Sequence, residues 1–162
     1  MACRWPCVDE SVHVLVLARH EDVVASVGFG NRYPSVEIWS TSALDQPWRM
    51  EPEEVDAMAD LVHAVHVAVG PHVPCNEEWH HRPVGVGAPV PWRVNLKLRV
   101  STLAGFEGGT KIYVNAISPA SLTSRLLPEM VRAREAGLIA PMDLGDECSV
   151  PRGVLASTRV RG

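Results

Sequence analysis

The chain has 162 residues, 46% apolar and 21% charged, which is ordinary globular usage and excludes collagen-like, coiled-coil and wholly disordered chains. Fifteen basic and nineteen acidic residues leave a formal charge of −4, so a nucleic-acid-coating role lacks its electrostatic footprint. No apolar run approaches the roughly 18 residues of a transmembrane helix, and Met1–Cys7 carries no long apolar stretch of a secretory signal. The expectation is a single soluble domain, located in the cytoplasm and touching neither nucleic acid nor membrane.

Cys3 and Cys7 form a C-x3-C pair with no second clustered pair after it. They are read as free thiols rather than half a zinc site, and no metal or cofactor is expected. Residues 12–17 and 23–29 are rich in β-branched side chains and predict two strands around a turn at Arg19–Asp22. Ser35–Thr41 predicts a third. Pro52 to Val69 predicts a helix, with proline in the first turn, Glu53, Glu54 and Asp56 at its positive end, and Gly70-Pro71 to stop it. Val55, Met58, Val62, Val65 and Val69 give it one apolar stripe, expected to lie on the strand Trp92–Val100. His63 and His66 are read as a partly exposed flank of that helix.

Asn76–Arg82 predicts a fourth strand, followed by a Gly/Pro/Val loop over 83–91 and a further strand over Trp92–Ser101. A hairpin turn at Gly108-Gly109 is expected to lead into a strand over Lys111–Ile117. Ser118-Pro119 predicts a helix start, with Pro128 breaking or restarting that helix and Gly137 ending it. Residues 138–162 show no periodicity and are expected to be a loosely docked extension to a single domain over residues 1–137. The fold class is α+β, an antiparallel sheet with two main helices on one face.

Charge is segregated. Residues 43–81 carry eight acids and one base, whereas residues 82–111 carry five bases and one acid. Within Trp92–Val100 the alternation puts Trp92, Val94, Leu96, Leu98 and Val100 on one face and Arg93, Asn95, Lys97 and Arg99 on the other. Three cations and an amide in a row are either a solvated sheet face or a groove for a phosphate or carboxylate.

Leu103-Ala104-Gly105-Phe106-Glu107-Gly108-Gly109, with Ile112-Tyr113-Val114-Asn115 and Ser118-Pro119 after it, resembles the C-terminal half of galactose-1-phosphate uridylyltransferases, of the histidine-triad (HIT) superfamily. Arg32-Tyr33-Pro34 with Val36-Glu37-Ile38-Trp39, Glu51-Pro52-Glu53-Glu54, and Cys75-Asn76 with His80 and Pro83 are similar to further blocks of that family, in the same order over roughly residues 8–136. The resemblance implies a HIT-like fold and pairing of two halves, here a homodimer. It also implies ligand contacts from Glu107 and Asn115, which match the family's sugar-binding positions.

The departure from that pattern is specific. The family's two strand histidines fall on Pro91 and Arg93, and the third triad position on Asn95. Arg93 stays protonated and cannot form a nucleotidyl-enzyme. The expected ligand is an anionic small molecule (a nucleotide or sugar phosphate), held by Arg93, Asn95, Lys97, Arg99, Asn76 and Asn115. Glu107 and His80 are the candidates for catalytic proton handling. Three readings follow: a binding domain repurposed from a nucleotidyltransferase, an enzyme with a non-covalent mechanism, or an inert partner of a larger transferase.

Overall fold

The computed structural model describes residues 15–42, 45–88, 90–100 and 104–148. Cys3, Cys7, the start of the expected first strand, Leu103 and the last fourteen residues lie outside these. Six strands form one sheet: β1 (Val16–His20), β2 (Val23–Gly28), β3 (Ser35–Ser40), β4 (Cys75–His80), β5 (Arg93–Leu98) and β6 (Asp143–Leu144). Their order is β4-β5-β3-β2-β1-β6, and every neighbouring pair is antiparallel. Helices α1 (Pro52–Val69) and α3 (Pro119–Glu135) pack on each other and on one face of the sheet, giving the α+β fold. A short helix, α2 (Gly105–Thr110), lies between β5 and α3. No helix among the described residues is long and apolar enough to cross a membrane.

Strand alternation builds the core. Val23, Ala25 and Val27 of β2, Val36 and Ile38 of β3, and Val94, Leu96 and Leu98 of β5 all point under the helices and are buried. Each fully buried aliphatic side chain there contributes on the order of 1.5–3 kcal/mol. Ser40 ends β3 on the same side, and its hydroxyl, with that of Ser42, bonds the Glu54 carboxylate in the first turn of α1.

The helix over Pro52–Val69 has the expected bounds, but its buried stripe is rotated. Ala57, Met58, Leu61, Ala64, Val65 and Ala68 are buried, while Val55 is exposed and Val62 only partly covered. The alanines let α1 sit close to both α3 and the sheet, and its main sheet contacts are β1, β2 and β3 rather than the β5 strand. Pro128 neither breaks nor restarts α3. It lies on the solvent side, and Leu126 and Met130 are buried on either side of it, so packing spans the missing N–H. Gly137 ends α3 as expected, at φ 69°. Its N–H donates to the Arg134 carbonyl, and the Leu138 N–H donates to the Ala133 carbonyl.

Two further expectations are overturned. The hairpin at Gly108-Gly109 and the strand over Lys111–Ile117 do not form. Glu107 Oε2 accepts from the Ala104 N–H at 3.1 Å and closes a helical turn instead. Thr110 Oγ1 then donates to the Phe106 carbonyl and accepts from the Ile112 N–H, satisfying locally the groups a ladder would use. The segment after Gly137 is also not loose as far as residue 148. Ile139, Met142 and Leu144 are buried in the core, β6 pairs with β1, and Arg134 binds Glu147 across the gap.

Candidate functional site on the open face of the sheet

The face of the sheet away from the helices carries the alternate residues of β3, β4 and β5. Register fixes which of them meet, because directly opposed residues of an antiparallel pair share a face. Lys97 opposes Ser35 and Asn76, Asn95 opposes Glu37 and Glu78, and Arg93 opposes Trp39 and His80. Five predicted site residues (Asn76, His80, Arg93, Asn95 and Lys97) therefore form one patch. Arg99 lies just beyond β5, where its guanidinium covers the Tyr33 ring at 4.9 Å.

The other two predicted residues are engaged in their own segment. Glu107 caps α2, and Asn115 Oδ1 accepts from the Ile117 N–H at 3.2 Å. Their segment is tied to the sheet at the turn between β2 and β3, where the Arg32 guanidinium lies 4.0 Å from the centre of the Tyr113 ring.

The patch is not the cationic groove that the β5 sequence alone implies. Lys97 Nζ donates to both oxygens of Glu78, at 2.8 and 2.6 Å. That bond, first of all, holds the Glu78 carboxyl below its ordinary range. His80 Nε2 lies 3.4 Å from Glu78 Oε2 but without hydrogen-bond geometry. From the turn before β3, Asn31 Nδ2 donates to Glu37 Oε1 at 3.0 Å and Ser35 Oγ at 2.7 Å. Gly28 makes room for that network, since a Cβ there would come within 2.5 Å of Ser35 Oγ. Two carboxylates thus share this face with the two cations of β5, and one of them, Glu78, binds Lys97.

Sequence reasoning missed Glu78, Glu37 and Trp39. Glu78 had a signal, since it sits midway between Asn76 and His80 at strand period.

Arg93 and Asn95 stand apart from this pairing. The Arg93 guanidinium lies on the Trp39 ring at 4.4 Å, and among the described residues no carboxylate pairs with it. Its Nε is buried without a hydrogen-bond partner. So is Oδ1 of Asn95, a residue only 4% exposed. His80 Nε2 and Trp92 Nε1 are likewise without a hydrogen-bond partner, but only Arg93 and Asn95 leave a donor and an acceptor open on adjacent same-face positions of one strand, which makes this surface the candidate site. Two cavities, of about 610 and 300 Å³, lie elsewhere, at the β1–β6 margin and beside Trp48 and His81. Of the predicted residues, neither is lined by any. Among the described residues, no group of three His, Cys, Asp or Glu side chains is placed to hold a metal ion.

The fold has counterparts of known structure. The chain is similar to a uridylyltransferase mutant at 16% identity and a TM-score of 0.61, over 74% of this chain and 44% of that one. It is similar to a uridylyltransferase at 17% identity and a TM-score of 0.58, over 74% of this chain and 42% of that one. At these identities the likeness is one of fold, and this chain spans less than half the length of either. No curated protein matches it. The family model described as "Domain of unknown function (DUF4921)" matches residues 4–157. That match takes in the whole sheet, both main helices and the open face, and the chain belongs to this family.

Proposed function

We propose that the open face binds an anionic small molecule bearing a sugar, a nucleotide or a sugar phosphate, on a HIT-like domain that lacks the nucleotidyl-histidine mechanism. One observation carries this reading: Arg93 is stacked on Trp39, paired with no carboxylate among the described residues, beside the open Oδ1 of Asn95. A phosphate suits the guanidinium fork. Glu37 flanks it as an acceptor for sugar hydroxyls, which favours a phosphorylated sugar over bare phosphate. Asn76 and His80 complete the rim. The fold likeness to uridylyltransferases supports the same ligand class, and Arg93 at the family's nucleophile position argues against a covalent intermediate.

The test is a thermal-shift screen of nucleotides, nucleoside diphosphate sugars, sugar phosphates and inorganic phosphate. A ligand at a hundred times its Kd stabilises by about 2.7 kcal/mol. Stabilisation by phosphorylated sugars but not by phosphate supports the reading, and no stabilisation by any of them overturns it.

The sequence favours a second feature. By its resemblance to one half of a galactose-1-phosphate uridylyltransferase, the domain would pair with a second copy to make a two-half assembly. Light scattering that gives the mass of two chains supports a homodimer. A monomer would favour an inert subunit awaiting a different transferase half.

A further inference from the structure

On the opposite side of the sheet, where β4 meets the last turn of α1, four side chains form a chain of contacts that the open-face reading does not use. Cys75 Sγ lies 3.6 Å from His66 Nδ1. The other ring nitrogen, His66 Nε2, lies 3.8 Å from Glu77 Oε2. Glu77 is held in turn by Trp79, whose Nε1 donates to its Oε1 at 2.5 Å.

The imidazole thus stands between a thiol and a carboxylate and faces each with a different nitrogen. That is the order of a nucleophile, a base and a group that orients the base. A metal chelate would instead need the donors to converge on one point. The site is reachable, with side-chain exposures of 41% for His66 and 35% for Glu77 and a half-buried Cys75.

We propose that Cys75 is a reactive thiol with His66 as its general base and Glu77 as a positioning residue, and that the site exchanges with low-molecular-weight disulfides. His66 Nδ1 takes the thiol proton as Sγ attacks one sulfur of the disulfide. A new S–S bond forms at Cys75, the old one breaks, and the departing thiolate recovers the proton from His66. Exchange requires a thiol, an adjacent proton acceptor and access, and all three are present. Burial, and then the Glu77 charge, push the Cys75 thiol above its ordinary value. A standing thiolate is therefore disfavoured, and a base in contact is what would make this sulfur reactive near neutrality.

The other described cysteine provides a contrast. Cys148 is buried, its thiol is pushed up to about 11 chiefly by that burial, and its Sγ donates to the Asp143 carbonyl.

The protein is incubated with oxidised glutathione and its peptides are read by mass spectrometry. The Cys75 peptide should gain one glutathione much faster than the Cys148 peptide. The wild-type rate should already rise near neutral pH, not only above the about 8.5 of a free thiol. His66→Gln should slow the reaction at pH 7 by about tenfold, with the rate recovered at alkaline pH, while the exposed His63→Gln leaves it unchanged. Glu77→Gln removes a charge that opposes thiol ionisation, so a slower rate in that variant can come only from loss of positioning. A faster Glu77→Gln rate overturns Glu77's role. A wild-type His66→Gln rate at pH 7, or a Cys75 no faster than Cys148, overturns the site. The wild-type pH profile decides the matter if a variant fails to fold.

Discussion

Lys97 on β5 points directly at Glu78 on β4, and its ammonium spans both carboxylate oxygens. The lysine that the sequence presents as an anion ligand is thus held by its neighbour. Glu78→Gln should release it. We expect such a variant to bind a phosphorylated ligand about 0.5–1 kcal/mol more tightly, the scale of a partly exposed ion pair. Titration calorimetry of both proteins checks this, and equal or weaker binding would show that Lys97 faces no ligand.

Of the two cations on β5, Arg93 is the one with no carboxylate partner among the described residues. Arg93→Ala should weaken binding of the same ligand by roughly 1.5–3 kcal/mol, the range of charge-assisted hydrogen bonds, with little loss of stability. Val94→Ala, on the buried side of the same strand, should do the reverse. Equal losses of affinity in both variants would point to general unfolding.

Incubation with nucleotide sugars should leave the intact mass of the protein unchanged, because a protonated guanidinium offers no lone pair to phosphorus. A stable uridylyl adduct in the mass spectrum would refute the proposed loss of the covalent mechanism.

Leu61 lies at the centre of the buried stripe of α1, and Val62 at its margin. Leu61→Ala should cost about 2–5 kcal/mol in denaturant unfolding, and Val62→Ala clearly less. The opposite ranking would mean that the stripe runs through the valines, as the 3-4 spacing alone implies.

Much of the fold is legible in the sequence because period and punctuation are local. Trp92–Val100 announces its two faces by strict alternation, and Pro52 and Gly70 bracket α1. What is not legible turns on competing local bonds or on distant partners. Gly108-Gly109 between apolar runs reads as a hairpin, and only the capping by Glu107 makes it helical. The two-residue β6 is too short to show any period, yet it pairs with a strand over 120 positions earlier. For the site, β5 reveals its cations, but Glu78, which binds Lys97, and Glu37, which register sets opposite Asn95, come from two other strands. Composition had placed acids and bases in separate stretches that the sheet then brings together.

The segment beyond α3 is fixed to it by charge. Arg134 donates to both oxygens of Glu147, which also accepts from the Leu144 N–H. The Arg134 bond, and then the Leu144 N–H, bring the Glu147 carboxyl down from 4.5 to about 2. Its folded-state value lies below its unfolded one, so its stabilising contribution is complete above about pH 4.5 and is lost as pH falls towards 2. Melting curves of wild type and Glu147→Gln should therefore differ at neutral pH and converge at about pH 2. A constant difference across that range would mean that the carboxylate charge is not what holds the segment.

The two margins of the sheet differ in kind. At one, β6 offers only two residues; at the other, β4 runs for six, and no strand among the described residues pairs with its outer edge. Such an edge invites pairing with any passing strand. Glu77 and Glu78 sit side by side at its middle and point to opposite faces, so an approaching strand meets a negative charge on either side. These two acids therefore also act as gatekeepers of solubility. Replacing both with valine would join Trp79 into a continuous sticky strip, and the folded protein should then precipitate at concentrations where the parent stays clear.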